Sequence, residues 1–187
     1  MNFVHRVGAV LLLCSCLFHP VMAETLVGRI IGVADGDTLT LLDANKQSHK
    51  IRLSGIDAPE KKQAYGQQSK LSLSNQAYGR QATADCPKRD RYQRAVCVVT
   101  VAGKDVGLQQ IHQGLAWWYR AYAHDQRVQD RRDYERAEQA ARARRVGLWR
   151  DKDPTPPWEW RRERREQSAG KRQGRTVSET ERILLPG

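Results

Sequence analysis

After its first 23 residues the chain has no apolar stretch long enough for a membrane helix. It has no internal repeat, which argues against a solenoid or propeller. It has no Ser, His or Cys constellation, so covalent nucleophilic catalysis has no visible carrier. The five histidines are scattered, and His112 and His124 read as surface residues rather than ligands. Acidic residues are in deficit, with 21 Asp and Glu against 32 Lys and Arg. That balance attracts polyanions, of which a phosphate backbone is the obvious one. Charge alone assigns no chemistry.

Cysteine is also scarce, with four in 187 residues. Two of them, Cys14 and Cys16, fall in a segment that reads as a cleaved export signal over residues 1–23. Arg6 gives the positive start, 7–18 is mostly apolar, and Val21-Met22-Ala23 offers small residues for cleavage. The rival is a lipoprotein anchor at Leu13-Cys14-Ser15-Cys16. Export would place the mature chain in a periplasmic or secreted location, free of the membrane. Removing Arg6 leaves a net charge of about +10 from the formal +11. Cys86 and Cys97 then remain, and in an oxidising compartment such a pair tends to become a disulfide. Two separate buried thiols are the alternative.

Short β-rich runs over 26–33, 38–42 and 49–53 are separated by turns at Asp35-Gly36 and Asp43-Ala44-Asn45-Lys46. This predicts a meander. Helices are predicted over 66–77, over 106–113 with Asp105 as N-cap and Gly114 as C-cap, and over 125–146 with Gly147 as stop. A further strand is expected over 95–101. Leu148-Trp149 should fold back after the glycine. Strands with inserted helices suggest a small closed barrel of the oligonucleotide-binding type. The expected domain is 24–150. From 151 to 187 the composition turns Pro/Trp-rich and then Arg-rich. Residues 161–182 carry eight basic and four acidic side chains, and read as a solvated helix fading into disorder.

Three segments carry candidate chemistry. Asp35-Gly36-Asp37-Thr38 sets alternate carboxylates at a turn, suited to a hard cation or simply to a hairpin. Arg52 through Asp57, Ala58, Pro59 and Glu60 collects a cation for phosphate, an acid for metal and an acid for base work within nine residues, unless it is a solvated loop. Asp90-Arg91-Tyr92-Gln93-Arg94 offers a planar guanidinium that can grip two phosphate oxygens, or else a polar hairpin tip.

In order and spacing, these segments resemble the staphylococcal nuclease (thermonuclease) family across about residues 26–149. The resemblance implies an α+β fold, a five-stranded oligonucleotide-binding-type β-barrel with about three helices. It also implies a Ca²⁺-dependent nuclease acting on DNA and/or RNA with little sequence specificity, expected to be a monomer. By the same resemblance, Asp37, Asp57 and the Ala58 carbonyl hold calcium, with Asp35 as a supporting acid nearby. Glu60 activates the attacking water, and Arg52 and Arg94 hold the scissile phosphate. Arg91 and Tyr92 stand where the family touches a terminal phosphate. Ala58 replaces the type member's Thr, and Gln93 replaces the Gly of a Tyr-Gly-Arg segment.

In Trp117-Trp118-Tyr119-Arg120-Ala121-Tyr122, the tryptophans read as core and Tyr119 and Tyr122 as candidates to stack on bases. Two other readings compete. A non-catalytic nucleic-acid-binding barrel module would be expected to lack one of the acids or arginines. An envelope interaction protein would leave the whole acid-arginine set idle.

Overall fold

The structure is a computed structural model that describes residues 24–183. Residues 1–23, the expected export signal with its two cysteines, lie outside the described residues.

Alternating apolar residues build the first three strands. In β1 (Glu24–Val33) Leu26 and Ile30 point inward, in β2 (Thr38–Asp43) Leu39 and Leu41, and in β3 (Ser48–Leu53) Ile51 and Leu53. They pair as the expected antiparallel meander. Next come a short β4 (Ile56–Asp57) and helix α1 (Gly66–Ala77). The chain then forms β5 (Gln81–Arg89) and β6 (Ala95–Val101), an antiparallel hairpin. β5 has no counterpart in the sequence reading. Its inward residues are Ala82, Ala84 and Cys86, and its polar neighbours and Pro87 give little strand signal.

β5 pairs with β1, and β6 pairs in parallel with β3, which closes a five-stranded barrel. The closing seam sets Arg52 opposite Val96 and Ile51 opposite Ala95. Closure therefore brings the end of the β3 segment beside the hairpin tip at 90–94.

β7 (Lys104–Asp105) leads into α2 (Val106–His112), where Asp105 Oδ1 accepts from the amides of Gly107 and Leu108 as the N-cap. β8 (Trp117–Trp118) pairs with β4. A 3-10 segment (Arg120–Asp125) precedes α3 (Val128–Ala143), so the charged helix begins three residues later than expected. After the turn at Gly147, Leu148 and Trp149 are buried beside Trp117 and Ala141, as the fold-back requires. A fourth helix, α4 (Pro157–Ile183), starts at a proline whose missing amide costs nothing at a helix N-terminus.

The tryptophans of β8 are core residues. Trp117 is edge-on to Trp149 at 4.4 Å, and the Trp118 indole donates to Gln126 Oε1 at 2.9 Å.

Cys86 and Cys97 are disulfide-bonded across the β5–β6 hairpin. The bridge closes a loop whose ends are 11 positions apart, and a loop that short restricts the unfolded chain by about 3 kcal/mol. A Cys86→Ser/Cys97→Ser variant is expected to lose that much unfolding free energy in urea titration, and a reducing agent should reproduce the loss in the wild-type protein. An unchanged midpoint would show that the hairpin holds itself.

Candidate active site

The predicted site residues line one cleft of about 580 Å³ beside the barrel seam, except Asp57, which is buried behind its lining. Asp37 ends the turn between β1 and β2. The turn seats against α1: a Cβ on Gly36 would stand 1.9 Å from Ser69 Oγ, so only glycine allows this approach. Gln110 of α2 reinforces it by donating to the Gly36 carbonyl at 2.9 Å. The loop carrying Glu60 is held in a similar way. The Glu60 amide donates to Gln63 Oε1 at 3.1 Å, and its carbonyl accepts from the Gln63 amide at 2.8 Å. A side chain at Gly66 would collide with that same carbonyl.

Arg52 is the hub. One guanidinium nitrogen donates to both Asp37 oxygens at 2.9 Å, and the other donates to Asp57 Oδ1 at 2.8 Å. Asp57 is wholly buried and Asp37 nearly so. Burial penalises the Arg52 charge, yet the two aspartates outweigh it and hold its pKa above the ordinary value. Burial also pushes the Asp37 carboxyl above the usual carboxylate range, against the opposing pull of Arg52. Asp35 adds a like charge to Asp37 and caps its amide at 3.2 Å. The Ala58 amide donates to Asp37 Oδ2 at 3.0 Å, which ties the second acidic segment to the first.

Arg94 reaches the same cleft from the hairpin tip. Its Nε donates to Asp90 Oδ2 at 2.7 Å, and one terminal nitrogen lies 3.4 Å from Thr38 Oγ1. Thr38 in turn donates to Asp37 Oδ1 at 3.0 Å, so a single hydroxyl links Arg94 to the acids. The tip is an Asp90 turn. Asp90 Oδ1 accepts from the amides of Tyr92 and Arg94, and Gln93 adopts φ +62°. The left-handed position that suits glycine is therefore kept, with glutamine in it, at a strain of about 1 kcal/mol. Arg91 lies over the Tyr92 ring at 4.9 Å on the exposed rim of the cleft.

Tyr119 and Tyr122 also line the cleft, 5.1 Å apart. Tyr122 is about half exposed, whereas Tyr119 already stacks on Trp158 at 5.4 Å and 12°. Partial burial and the charge of Asp57 raise the Tyr119 phenol pKa.

Arg161, in the second turn of α4, is the site residue that sequence reasoning missed. It donates to Asp57 Oδ2 at 2.7 Å, to Asp57 Oδ1 at 3.2 Å and to Glu60 Oε1 at 2.9 Å. The expectation of a solvated helix from 161 onward therefore holds for Arg162–Gly170, which are exposed, but not for Arg161. The signal available in the sequence was Trp158, three residues earlier and so on the same helical face.

The donor chemistry fits a hard divalent cation. Among the described residues the four carboxylates Asp35, Asp37, Asp57 and Glu60 make direct ion pairs only with the guanidiniums of Arg52 and Arg161, while Arg94 is paired with Asp90. The set thus carries excess negative charge on oxygen ligands. Among the described residues no group of three or more His, Cys, Asp or Glu side chains is placed to hold a metal ion by itself. The arrangement is an open one, in which backbone oxygen and water would complete the shell.

Comparison with known proteins points the same way. The family described as "Staphylococcal nuclease homologue" matches residues 50–151. An "Uncharacterized endonuclease" of Haemophilus influenzae is 42% identical over 135 residues, spanning 72% of each chain. "Protein ParB" of Escherichia coli is 39% identical over 153 residues, covering 77% of this chain and 83% of its own. A "Micrococcal nuclease" of Shigella flexneri is 34% identical over 144 residues, covering 72% of this chain and 80% of its own.

Proposed function

Because this chain belongs to the staphylococcal nuclease homologue family, we propose that it is an exported, calcium-dependent endonuclease that hydrolyses phosphodiester bonds of DNA and/or RNA with little sequence specificity. The observation that carries the reading is the shared hold of Arg52 on Asp37 and Asp57, with Glu60 and Arg94 opening onto the same cleft.

Asp37, Asp57 and the Ala58 carbonyl are the groups that would hold calcium, which when bound supplies positive charge to a phosphoryl oxygen. The remaining steps belong to the chain. Arg52 and Arg94 place fixed positive charge where the pentacovalent transition state gathers negative charge. Glu60 takes a proton from a water aimed at phosphorus. The new P–O bond forms as the bond to the leaving oxygen breaks, and solvent protonates that oxygen. Tyr119 and Tyr122 offer flat faces to bases, and Arg91 and Tyr92 lie where a flanking phosphate would pass. Any base has a π-face and any nucleotide a phosphate, which supports low sequence preference.

Two observations support export. The apolar run over 7–18 has the length of a signal core, and the Cys86–Cys97 bridge suits an oxidising compartment. We propose that the mature protein is periplasmic or secreted and acts as a monomer.

The test is incubation of the mature protein with single- and double-stranded DNA and RNA, in Ca²⁺, Mg²⁺ or chelator. Cleavage with Ca²⁺ that stops in chelator is expected. Tight binding without cleavage in every condition would instead identify a non-catalytic nucleic-acid-binding barrel.

A further inference from the structure

The start of α4 is docked firmly against the active-site wall. The Gln63 side chain donates to the Thr155 carbonyl at 2.6 Å, Pro157 is buried, and Trp158 packs on both Tyr119 and Trp117. The backbone at 161 is therefore fixed, and the guanidinium it sends into the cleft lies on a long, flexible stem. That guanidinium chelates both oxygens of Asp57 and also holds Glu60. Its side chain is one-third exposed, so its far side faces the open cleft.

A divalent cation at Asp57 would compete with Arg161 for the same carboxylate. Both oxygens of Asp57 are taken by the guanidinium, and a cation placed there would set like charges at contact distance. Arg52 still holds Asp57 Oδ1 from the barrel side, so Asp57 stays in place when Arg161 leaves. Once released from Asp57, Arg161 keeps Glu60 within reach, and the further anion the cleft would offer it is a phosphate of the entering strand.

We propose that Arg161 is a third phosphate-gripping arginine, which neutralises Asp57 and Glu60 while the acids lack a cation and passes to a substrate phosphate when the cation takes Asp57. The proposal rests on the nuclease reading and adds a residue from outside the barrel to it. It makes α4 part of the catalytic unit, and it makes cation and nucleic-acid binding cooperative. The cation frees the arginine, and the phosphate then retains it.

The test compares wild type, Arg161→Gln and Arg162→Gln by calorimetry, first with Ca²⁺ alone. A nuclease-resistant single-stranded phosphorothioate oligonucleotide is then titrated at saturating Ca²⁺. Arg162 is exposed on the same helix and controls for charge. Arg161→Gln is expected to bind Ca²⁺ about tenfold more tightly and the oligonucleotide about tenfold more weakly, in keeping with the loss of charge-assisted hydrogen bonds, while Arg162→Gln stays near wild type. Arg161→Lys, which keeps the charge without the fork, should fall between. Unchanged or weaker Ca²⁺ binding by Arg161→Gln would overturn the exchange. Oligonucleotide affinity equal to wild type would overturn the phosphate role and leave the nuclease reading standing. Failure of the wild type to bind either probe would overturn both.

Discussion

Glu60→Gln is expected to cut the single-turnover rate of phosphodiester hydrolysis about 10²–10⁴-fold, the usual contribution of a positioned general base. The substitution replaces one oxygen by an amide nitrogen of the same size. The loop that carries it is held by backbone contacts, through the Gln63 amide and side chain, and by the close approach of Gly66. None of these depends on the carboxylate. The carboxylate also accepts from Arg161, but that pair is partly exposed and the glutamine oxygen can still accept. Thermal midpoint and oligonucleotide affinity should therefore stay near wild type, and the loss should fall on kcat rather than KM. Near-normal turnover would remove Glu60 from the mechanism. A matching fall in affinity would make it a binding residue.

Arg94→Gln is expected to cost about 10²–10³-fold in the same rate, comparable to removal of one charge-stabilising donor at a transition state. Here a structural cost accompanies the catalytic one, because Arg94 is also the partner of Asp90. Partial burial works against the Asp90 carboxylate, but hydrogen bonds from the Arg94 side chain and amide and from the Tyr92 amide prevail, and its pKa lies below the usual value. A depressed acid stabilises the fold above its unfolded pKa. That contribution fades as pH falls through the lower, folded pKa. The stability gap between wild type and Arg94→Gln should therefore be open at neutral pH and narrow in acid. The rate deficit at neutral pH should far exceed anything a fraction unfolded explains. Denaturant titration at several pH values, with rates measured on the folded population, separates the two effects. A deficit that tracks the unfolded fraction would reduce Arg94 to a turn-holding residue.

The legible parts of this protein are the ones whose signals are local. Short β-rich runs bounded by turns marked β1 to β3 and β6, and Asp105 announced the start of α2. The acids and arginines could be named because each short segment holds its residues within a few positions, and family order linked the segments. β5 escaped because alanines face inward there, and small residues against a crowded core leave no hydrophobic alternation to count. Arg161 escaped for a different reason. It lies in an Arg-rich run where composition cannot tell one arginine from the next, and its partner Asp57 is 104 positions away. The spacing from Trp158 sets this arginine apart from its neighbours, but that spacing gains meaning only through the docking of Trp158 on Tyr119 and Trp117, which is tertiary. Gln93 shows the converse. The sequence departs from glycine there, yet the backbone keeps the left-handed turn, because Asp90 caps the tip from inside.

The central claim is that the cleft at the barrel seam directs water onto phosphorus with Glu60 as base. Cleavage of a single-stranded DNA oligonucleotide in ¹⁸O-enriched water with Ca²⁺, followed by mass spectrometry of the fragments, tests it most directly. The account predicts one ¹⁸O in the phosphate of the cleaved product from wild-type protein and almost no product from Glu60→Gln. Product phosphate without the label, or equal labelled product from both proteins, would contradict it.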